Sequence, residues 1–226
     1  LIHQSICDID RYGKYLIFIL DHDAFISHLR MEGKYNIKQK DEPYDKHDHI
    51  IFHMTDGTDL RYNDTRKFGR MQLVDKEYYR EYPPLSRLGQ EPMEATFDYI
   101  YPHIHQSHLP IKQLLLDQTI FTGIGNIYAN EICFRMGMDP RTRGDRLSKK
   151  RILELIEVSS TILKEAIAQG GTTIHSFDAN GIHGLFQVTL SVHAQTTCSK
   201  CKGPIKKITI AGRGTYYCPH CQKRRY

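Results

Sequence analysis

The sequence predicts a multidomain α+β protein of 226 residues, in which a β-rich segment, a helical segment and a metal-binding module follow one another. Three observations predict this order. Short stretches of β-branched and aromatic residues, separated by turn signals, fill residues 1–75. Longer segments with helix start and stop signals fill residues 85–170. Two Cys-x-x-Cys pairs lie near the end of the chain.

The β-rich segment should form a domain over residues 1–84. A short helix is predicted over residues 76–82, and Pro83-Pro84 then breaks the chain. Because strand-like sequence begins within a few residues of Leu1, we expect a fragment whose first β domain is incomplete. The clearest strands are predicted over Tyr15–Leu20, Ala24–Leu29, His49–Met54 and Asp59–Tyr62.

The middle segment should form a helical domain over residues 85–170. Pro110 suits a helix start, whereas Gly137 and Gly170 suit helix ends. Residues 171–190 are polar and rich in turn-forming residues, which predicts a mobile loop before a metal-binding module over residues 191–226. Helices are predicted over residues 97–107, 110–118, 126–136 and 148–168.

The cysteines predict one structural zinc ion. Sixteen residues separate the pair Cys198 and Cys201 from the pair Cys218 and Cys221. Four thiolates close a tetrahedron around zinc and leave no position open for catalysis. Two disulfides are the alternative, but they require an oxidising compartment and nothing in the sequence marks secretion. The two other cysteines, at positions 7 and 133, have apolar neighbours and are expected to be core thiols.

The charge of the chain is unevenly distributed. The formal net charge is +5, yet no acidic residue follows Asp178, and that tail contains eight Lys or Arg residues. Residues 1–178 therefore carry 23 basic and 26 acidic side chains, a net of −3. A basic end indicates a polyanionic partner, although a solvated surface explains the charge equally well. No apolar run is long enough to span a bilayer, so no membrane partner is expected.

Three motifs suggest contacts with nucleic acid. Thr122–Tyr128 places glycines before a helix, where backbone N–H groups and Asn126 suit a phosphate; a tight turn without ligand is the alternative. Leu60–Gly69 ends in two cations and Phe68, a set that suits gripping phosphate and wedging a base stack. Its alternative is a hairpin with Phe68 in the core. His28–Gly33 is another strand end, with a methionine next to a carboxylate.

Together these segments resemble the bacterial formamidopyrimidine-DNA glycosylases. That resemblance implies a β-sandwich over 1–84, a helix–two-turn–helix domain over 85–170, a lesion-recognition loop over 171–190 and a zinc finger over 191–226. The motifs that carry the resemblance extend over nearly the whole chain: Arg11–Tyr15, Leu29–Gly33, Lys46–His49, Tyr62–Gly69, Gly123–Ala129, Ala211–Thr215 and Cys218–Gln222.

The resemblance implies that four residues contact DNA, three of them at phosphates. Lys14 would contact phosphate near the lesion and assist proton transfer during strand cleavage. Arg213 would hold the phosphates that flank the lesion and assist the second elimination, a role that suits the planar guanidinium. His47 would contact DNA, and Asn126 would hold a phosphate at the start of its helix.

The resemblance also implies a group that acts on the bases. Met31, Arg66 and Phe68 would fill or wedge the gap left by the flipped nucleotide, and Glu32 would lie in the lesion pocket. The loop over Thr172–Gln187 would close over the flipped base.

Two departures from the family pattern are visible. The family usually has proline before the arginine pair, where this chain has Thr65, followed by Arg66 and Lys67. The family also begins with a Pro-Glu-Leu-Pro-Glu-Val-like segment, whose terminal proline amine attacks the sugar C1′ and whose glutamate handles protons. Neither residue is in this chain. A fragment without that amine is expected to be inactive.

The resemblance implies a bifunctional base-excision repair enzyme, a DNA glycosylase and abasic-site lyase that removes 8-oxoguanine and formamidopyrimidines from duplex DNA. The expected protein is a bacterial, cytoplasmic monomer that associates with the nucleoid through DNA. Two alternatives stay open: an endonuclease VIII-like glycosylase for oxidised pyrimidines, and a non-catalytic zinc protein that binds damaged DNA. The stretch Asn63–Gly69 argues against the first, because the endonuclease VIII class generally lacks it.

Overall fold

A computed structural model describes residues 1–171 and 189–224. Among these residues the chain forms two compact units: a β unit over residues 1–86, and a helical–zinc unit over residues 87–171 and 189–224. The predicted loop over 171–190 lies almost entirely outside the described residues. The bounds of the four predicted domains therefore stay predictions.

The β unit is built from two antiparallel sheets. One has the strand order β1-β2-β3-β7 and the other β4-β6-β5. Aromatic side chains fill the space between them, since Phe25 stacks on Phe18 at 4.4 Å and on Phe52 at 5.3 Å between ring centroids. This is the expected β-sandwich. Its strands are β1 (Ile6–Tyr12), β2 (Tyr15–Leu20), β3 (Asp23–His28), β4 (Lys34–Gln39), β5 (Asp48–His53), β6 (Thr58–Asn63) and β7 (Arg70–Asp75).

The four strands predicted individually are present; one has the predicted bounds and the other three differ from them by one residue at each end. β1, β4 and β7 were not predicted individually, because the polar and charged residues in their sequences hide the alternation of a half-buried strand. The helix predicted over residues 76–82 is wrong. Only a single 3₁₀ turn forms there, at Tyr79–Glu81, and it buries none of its residues, so no packing face stabilises a longer helix.

Four helices form the core of the helical–zinc unit. The longest is amphipathic, and Ile152, Leu155 and Ile162 on its buried face are completely inaccessible to solvent. Ser148 caps its start by accepting a hydrogen bond from the backbone N–H of Arg151. The helices are α1 (Phe97–His105), α2 (Ile111–Leu116), α3 (Asn126–Arg135) and α4 (Lys149–Ala168).

The zinc module contains a β-hairpin of β8 (Lys206–Ile210) and β9 (Arg213–Tyr217). Ala211 and Gly212 both have positive φ, at 48° and 70°, which gives the two-residue turn that matches the twist of a hairpin. In the described part of the chain, no helix is long and apolar enough to cross a membrane.

Candidate nucleic-acid interface and zinc centre

The start of α3 is attached to the zinc hairpin. Gly125 is the N-cap residue in extended conformation and offers no side chain to the first N–H groups of the helix. The Asn126 side chain donates from Nδ2 to the carbonyl oxygen of Gly214, 3.1 Å away. Its Oδ1 is buried and has no hydrogen-bond partner among the described residues. The predicted phosphate-binding residue thus lies directly beside the hairpin that carries Arg213.

Lys112 completes this junction, and the sequence analysis missed it. Its Nζ donates to the carbonyl oxygen of Gly214 at 3.0 Å and to Oγ1 of Thr215 at 2.6 Å. Lys112 is fully buried. Burial lowers the pKa of Lys112 to about 8; the Coulombic effect of Cys133 opposes this shift, and the smaller repulsion from the guanidinium of Arg213 adds to it. One signal was available, because Lys112 precedes Leu115 by three residues and therefore shares the buried face of α2.

Arg213 is exposed at the first residue of β9, directly after the two-residue turn. The exposed lysines Lys206 and Lys207 lie on the facing strand. A basic hairpin next to Asn126 is suited to holding a polyanion. Because Gly214 is bonded to both Asn126 and Lys112, the residue that follows Arg213 is fixed to the helical core.

The four predicted zinc ligands come together. Their Sγ atoms all lie within 4.8 Å of one another. Two of the separations are 3.8 Å, between Cys198 and Cys221, and 3.5 Å, between Cys201 and Cys218. A zinc ion about 2.3 Å from four sulfurs places those sulfurs about 3.8 Å apart, so the site fits one tetrahedral zinc.

These separations are incompatible with disulfides, and all six cysteines are free. The core position expected for Cys133 is confirmed. The expectation for Cys7 is wrong, because Cys7 is exposed. It lies on β1, an edge strand of its sheet, where one side chain in two points away from the core.

The predicted base-wedging residues of the β unit also come together. Met31 and Phe68 are 59% and 51% exposed, which is unusual for large apolar side chains. Arg66 connects them: its guanidinium lies over the Phe68 ring at 4.8 Å, and its Nη1 is 3.3 Å from the Met31 sulfur. Phe68 is therefore not a core residue. We call Met31, Arg66 and Phe68 the wedge cluster.

Two loops carry the wedge cluster, one over residues 29–33 and the other over residues 64–69. A hydrogen bond from the Thr65 hydroxyl to the Glu32 carboxylate joins them. Thr65 occupies the position where the family usually has proline, and proline has no donor for such a bond. Glu32 is thereby held next to the wedge cluster.

Asp64 organises the second loop and was not predicted as a functional residue. Its carboxylate accepts hydrogen bonds from the backbone N–H of Arg66 at 3.0 Å and of Gly69 at 2.8 Å. Burial disfavours the charged form of Asp64, but these hydrogen bonds outweigh it and lower its pKa. Because Asp64 is fully buried, its hydrogen bonds hold the loop that carries Arg66 and Phe68 to the interior of the β unit.

The two other predicted DNA contacts of the β unit lie on separate loops. Lys14 is exposed in the tight β1–β2 turn, next to Gly13, whose φ is 58°. His47 is half-buried just before β5, and its carbonyl oxygen accepts the backbone N–H of Asp64 at 3.1 Å. The predicted recognition loop, Thr172–Gln187, lies outside the described residues.

The chain matches three family models, which together cover most of its length. Residues 1–71 match the formamidopyrimidine-DNA glycosylase N-terminal domain, and residues 88–178 match the H2TH domain of the same glycosylases. Residues 197–224 match a zinc finger found in FPG and IleRS.

Individual relatives agree with these matches. The chain is 43% identical to a formamidopyrimidine-DNA glycosylase of Bacillus licheniformis, over 99% of this chain and 83% of the relative. It is 44% identical to the formamidopyrimidine-DNA glycosylase of Bacillus subtilis, over 100% of this chain and 83% of the relative. A crystal structure of a Lactococcus lactis FPG variant with Fapy-dG-containing DNA superimposes with a TM-score of 0.92 at 37% identity, covering 98% of this chain and 83% of that one. A complex of the Lactococcus lactis protein with abasic-site DNA also superimposes with a TM-score of 0.92 at 37% identity, covering 98% of this chain and 83% of that one.

Proposed function

This chain belongs to the formamidopyrimidine-DNA glycosylase family, and we propose that residues of its β unit distort the DNA, while residues of both units hold its phosphates. The protein is a base-excision repair DNA glycosylase with abasic-site lyase activity that removes oxidised purines, such as 8-oxoguanine and formamidopyrimidines, from duplex DNA. An enzyme that acts on a base within a duplex must first turn that base out of the stack.

The wedge cluster is the observation that carries this proposal. A folded protein gains nothing by exposing Met31 and Phe68 together, so their exposure indicates a partner that covers them. Apolar side chains that enter a base step compensate for the stacking that a flipped nucleotide loses. The Arg66 guanidinium between them adds a cation that suits the phosphates or the orphaned base.

The other residues predicted to act on DNA, apart from Glu32, would contact its phosphates. Asn126 and Arg213 would bind phosphates from the helical–zinc unit, and Lys14 and His47 from the β unit. Such contacts fix the position of the duplex but carry no sequence information. Lys14 and Arg213 would also move protons during the two eliminations, and Glu32 would face the turned-out base.

Zinc is held by the four cysteine sulfurs and stabilises the fold of the hairpin without taking part in the reaction. Its contribution is to place Arg213. We further propose that the enzyme acts as a monomer and associates with the nucleoid through DNA. Sedimentation velocity, alone and with a short lesion duplex, would reveal any dimer.

The function is tested with the full-length protein that carries this sequence and three duplexes: one with 8-oxoguanine, one with an oxidised pyrimidine and one undamaged. Faster excision of 8-oxoguanine, together with a covalent adduct after borohydride reduction, is expected. The oxidised pyrimidine is needed because one Lactococcus lactis FPG structure contains an oxidised-pyrimidine DNA. Faster excision of the pyrimidine would favour the endonuclease VIII class, and tight binding without excision would indicate a damage-binding protein.

A further inference from the structure

Beneath the wedge cluster lies a tyrosine with no assigned role. Tyr62 is on β6 and is only 5% exposed. Its hydroxyl donates to Oδ2 of Asp64 at 3.2 Å. Burial, reinforced by the neighbouring Asp64 carboxylate, raises the pKa of Tyr62, so the hydroxyl keeps its proton and acts as a donor.

The Tyr62 hydroxyl occupies a space that two glycines leave open. A Cβ atom added to Gly69 would overlap the hydroxyl oxygen and lie 2.7 Å from Cζ of the ring. A Cβ atom added to Gly33 would also collide with the hydroxyl oxygen. Neither glycine has the positive φ that would otherwise explain its presence. The close approach of the tyrosine is therefore the physical reason for glycine at position 69, whereas at position 33 the tyrosine hydroxyl and the Leu29 carbonyl oxygen, 2.5 Å from the added Cβ, both exclude a side chain.

The two glycines belong to the two loops that form the wedge cluster. Gly33 closes the loop that carries Met31, with its N–H bonded to the carbonyl oxygen of Leu29 at 3.0 Å. Gly69 closes the loop that carries Arg66 and Phe68, with its N–H bonded to Asp64. One hydroxyl thus touches both loops and the carboxylate that organises the second.

We propose that Tyr62 is a positioning residue for the wedge cluster, whose hydroxyl, seated between Gly33 and Gly69, holds the two wedge loops at a fixed separation. The inference rests on the proposed wedging role of Met31, Arg66 and Phe68. Without the hydroxyl, Asp64 keeps its backbone donors but loses its tyrosine donor, and each loop can move into the vacated space. The wedge then has to be ordered at the moment it enters DNA, which weakens binding to a lesion more than binding to an intact duplex.

The chain offers a matched control in Tyr35. Its ring lies 5.3 Å from the Tyr62 ring in the same core, and its hydroxyl donates to Oγ of Ser27 at 2.9 Å. Burial raises the pKa of Tyr35 to about 12. Tyr35→Phe therefore removes an equivalent hydrogen-bonded hydroxyl from the sandwich core, but one that touches neither glycine.

The experiment compares Tyr62→Phe, Tyr35→Phe and Phe68→Ala in the full-length, zinc-loaded protein. The readout is the ratio of the Kd for undamaged duplex to the Kd for duplex with a tetrahydrofuran abasic analogue. A 2-aminopurine opposite the analogue reports unstacking by its fluorescence. We expect Tyr62→Phe to lower the Kd ratio about three- to tenfold, the range of one lost hydrogen bond, and to reduce the fluorescence increase. Tyr35→Phe should keep the ratio within about twofold while lowering Tm similarly.

Gly69→Ala is the second variant, because the added methyl group displaces the hydroxyl while Tyr62 itself is retained. It should lower the Kd ratio in the same direction. Ratios for Tyr62→Phe and Gly69→Ala no lower than that of Tyr35→Phe would overturn the inference. A normal ratio for Phe68→Ala would instead overturn the proposed wedge, so the two failures are distinguishable.

Discussion

At the scale of single residues, His28 shows how a strand end is stabilised by a neutral side chain. It is the last residue of β3, its ring meets the Tyr15 ring edge-on at 4.6 Å, and its Nδ1 accepts the backbone N–H of Arg30 at 2.9 Å. Burial, with nearby positive charge on Arg30 and Lys14, lowers the pKa of His28 to about 4. The folded β unit therefore excludes the proton that an unfolded chain would accept.

The expected consequence is a loss of stability on acidification. Between pH 6.5 and pH 4 the unfolded state binds a proton at His28 that the folded state does not, so this stabilisation is complete above pH 6.5 and lost as the pH falls toward 4. His28→Asn keeps an acceptor without titrating. The fall in Tm over this window, measured by circular dichroism, should be smaller in the variant. An equal fall in Tm for both proteins would show that groups other than His28 determine how stability changes in this pH range.

Arg213 should act through phosphate and not through the base. Arg213→Ala is expected to weaken binding to lesion and undamaged duplex by the same factor, and to reduce the salt slope of log Kd by about one. Fluorescence anisotropy at several salt concentrations measures both. Arg135→Ala is the control, because Arg135 is already paired with Glu165 at 2.7 Å. A loss restricted to lesion DNA would mean that Arg213 reads the damaged base.

At the scale of elements, the junction between α2, α3 and the hairpin decides where the residues proposed to bind phosphate, Asn126 and Arg213, lie. Lys112 and Asn126 come from two helices and share one carbonyl acceptor, that of Gly214. α3 also holds the segment before the hairpin, because the Glu131 carboxylate accepts the backbone N–H groups of residues 191–193 at 2.8 to 3.0 Å. The zinc module is thus fixed to the helices at two places, at residues 191–193 before the first zinc ligand and at Gly214 next to the hairpin turn.

Lys112 should consequently couple to Arg213. Lys112→Met removes the buried amine and both of its hydrogen bonds, so the hairpin loses part of its attachment to the helices. DNA affinity should therefore fall several-fold, which corresponds to the net free energy of about one to two hydrogen bonds. The double variant Lys112→Met/Arg213→Ala should lose less than the product of the single losses, because Lys112 acts by placing Arg213. Arg135→Ala combined with Arg213→Ala should give simple multiplication. Multiplicative losses for the Lys112 pair would contradict this coupling.

At the scale of the whole molecule, we expect DNA binding to depend on the metal, because Arg213 lies in the zinc module, and we expect the helical core to fold without it. The apolar core of α1 to α4 consists of side chains such as Ile100, Leu115 and Ile132, all completely buried. Around the zinc ligands Cys198 and Cys218, Phe134 and Val192 form a separate small cluster. The free energy of zinc binding therefore contributes mainly to the fold of the hairpin.

Cys201→Ser should abolish DNA binding while most of the helical signal in circular dichroism persists. Zinc content, measured by a colorimetric chelator, should fall from one ion per chain to none. Cys7→Ser serves as control, because Cys7 is exposed and lies outside the cluster of four cysteines. Full DNA affinity in the metal-free variant would contradict a structural role for zinc.

Features that depend on residues close together in the chain could be predicted from the sequence. The spacing of Cys198, Cys201, Cys218 and Cys221 was enough to predict zinc, and the strand-end position of Phe68 was enough to suggest a wedge, because short-range spacing fixes local geometry. Which distant segments meet could be seen only in the folded protein. It buried Lys112 against Gly214, 102 residues away in sequence, and placed the Tyr62 hydroxyl between two loops. Long-range packing selects these contacts, and no local pattern records them.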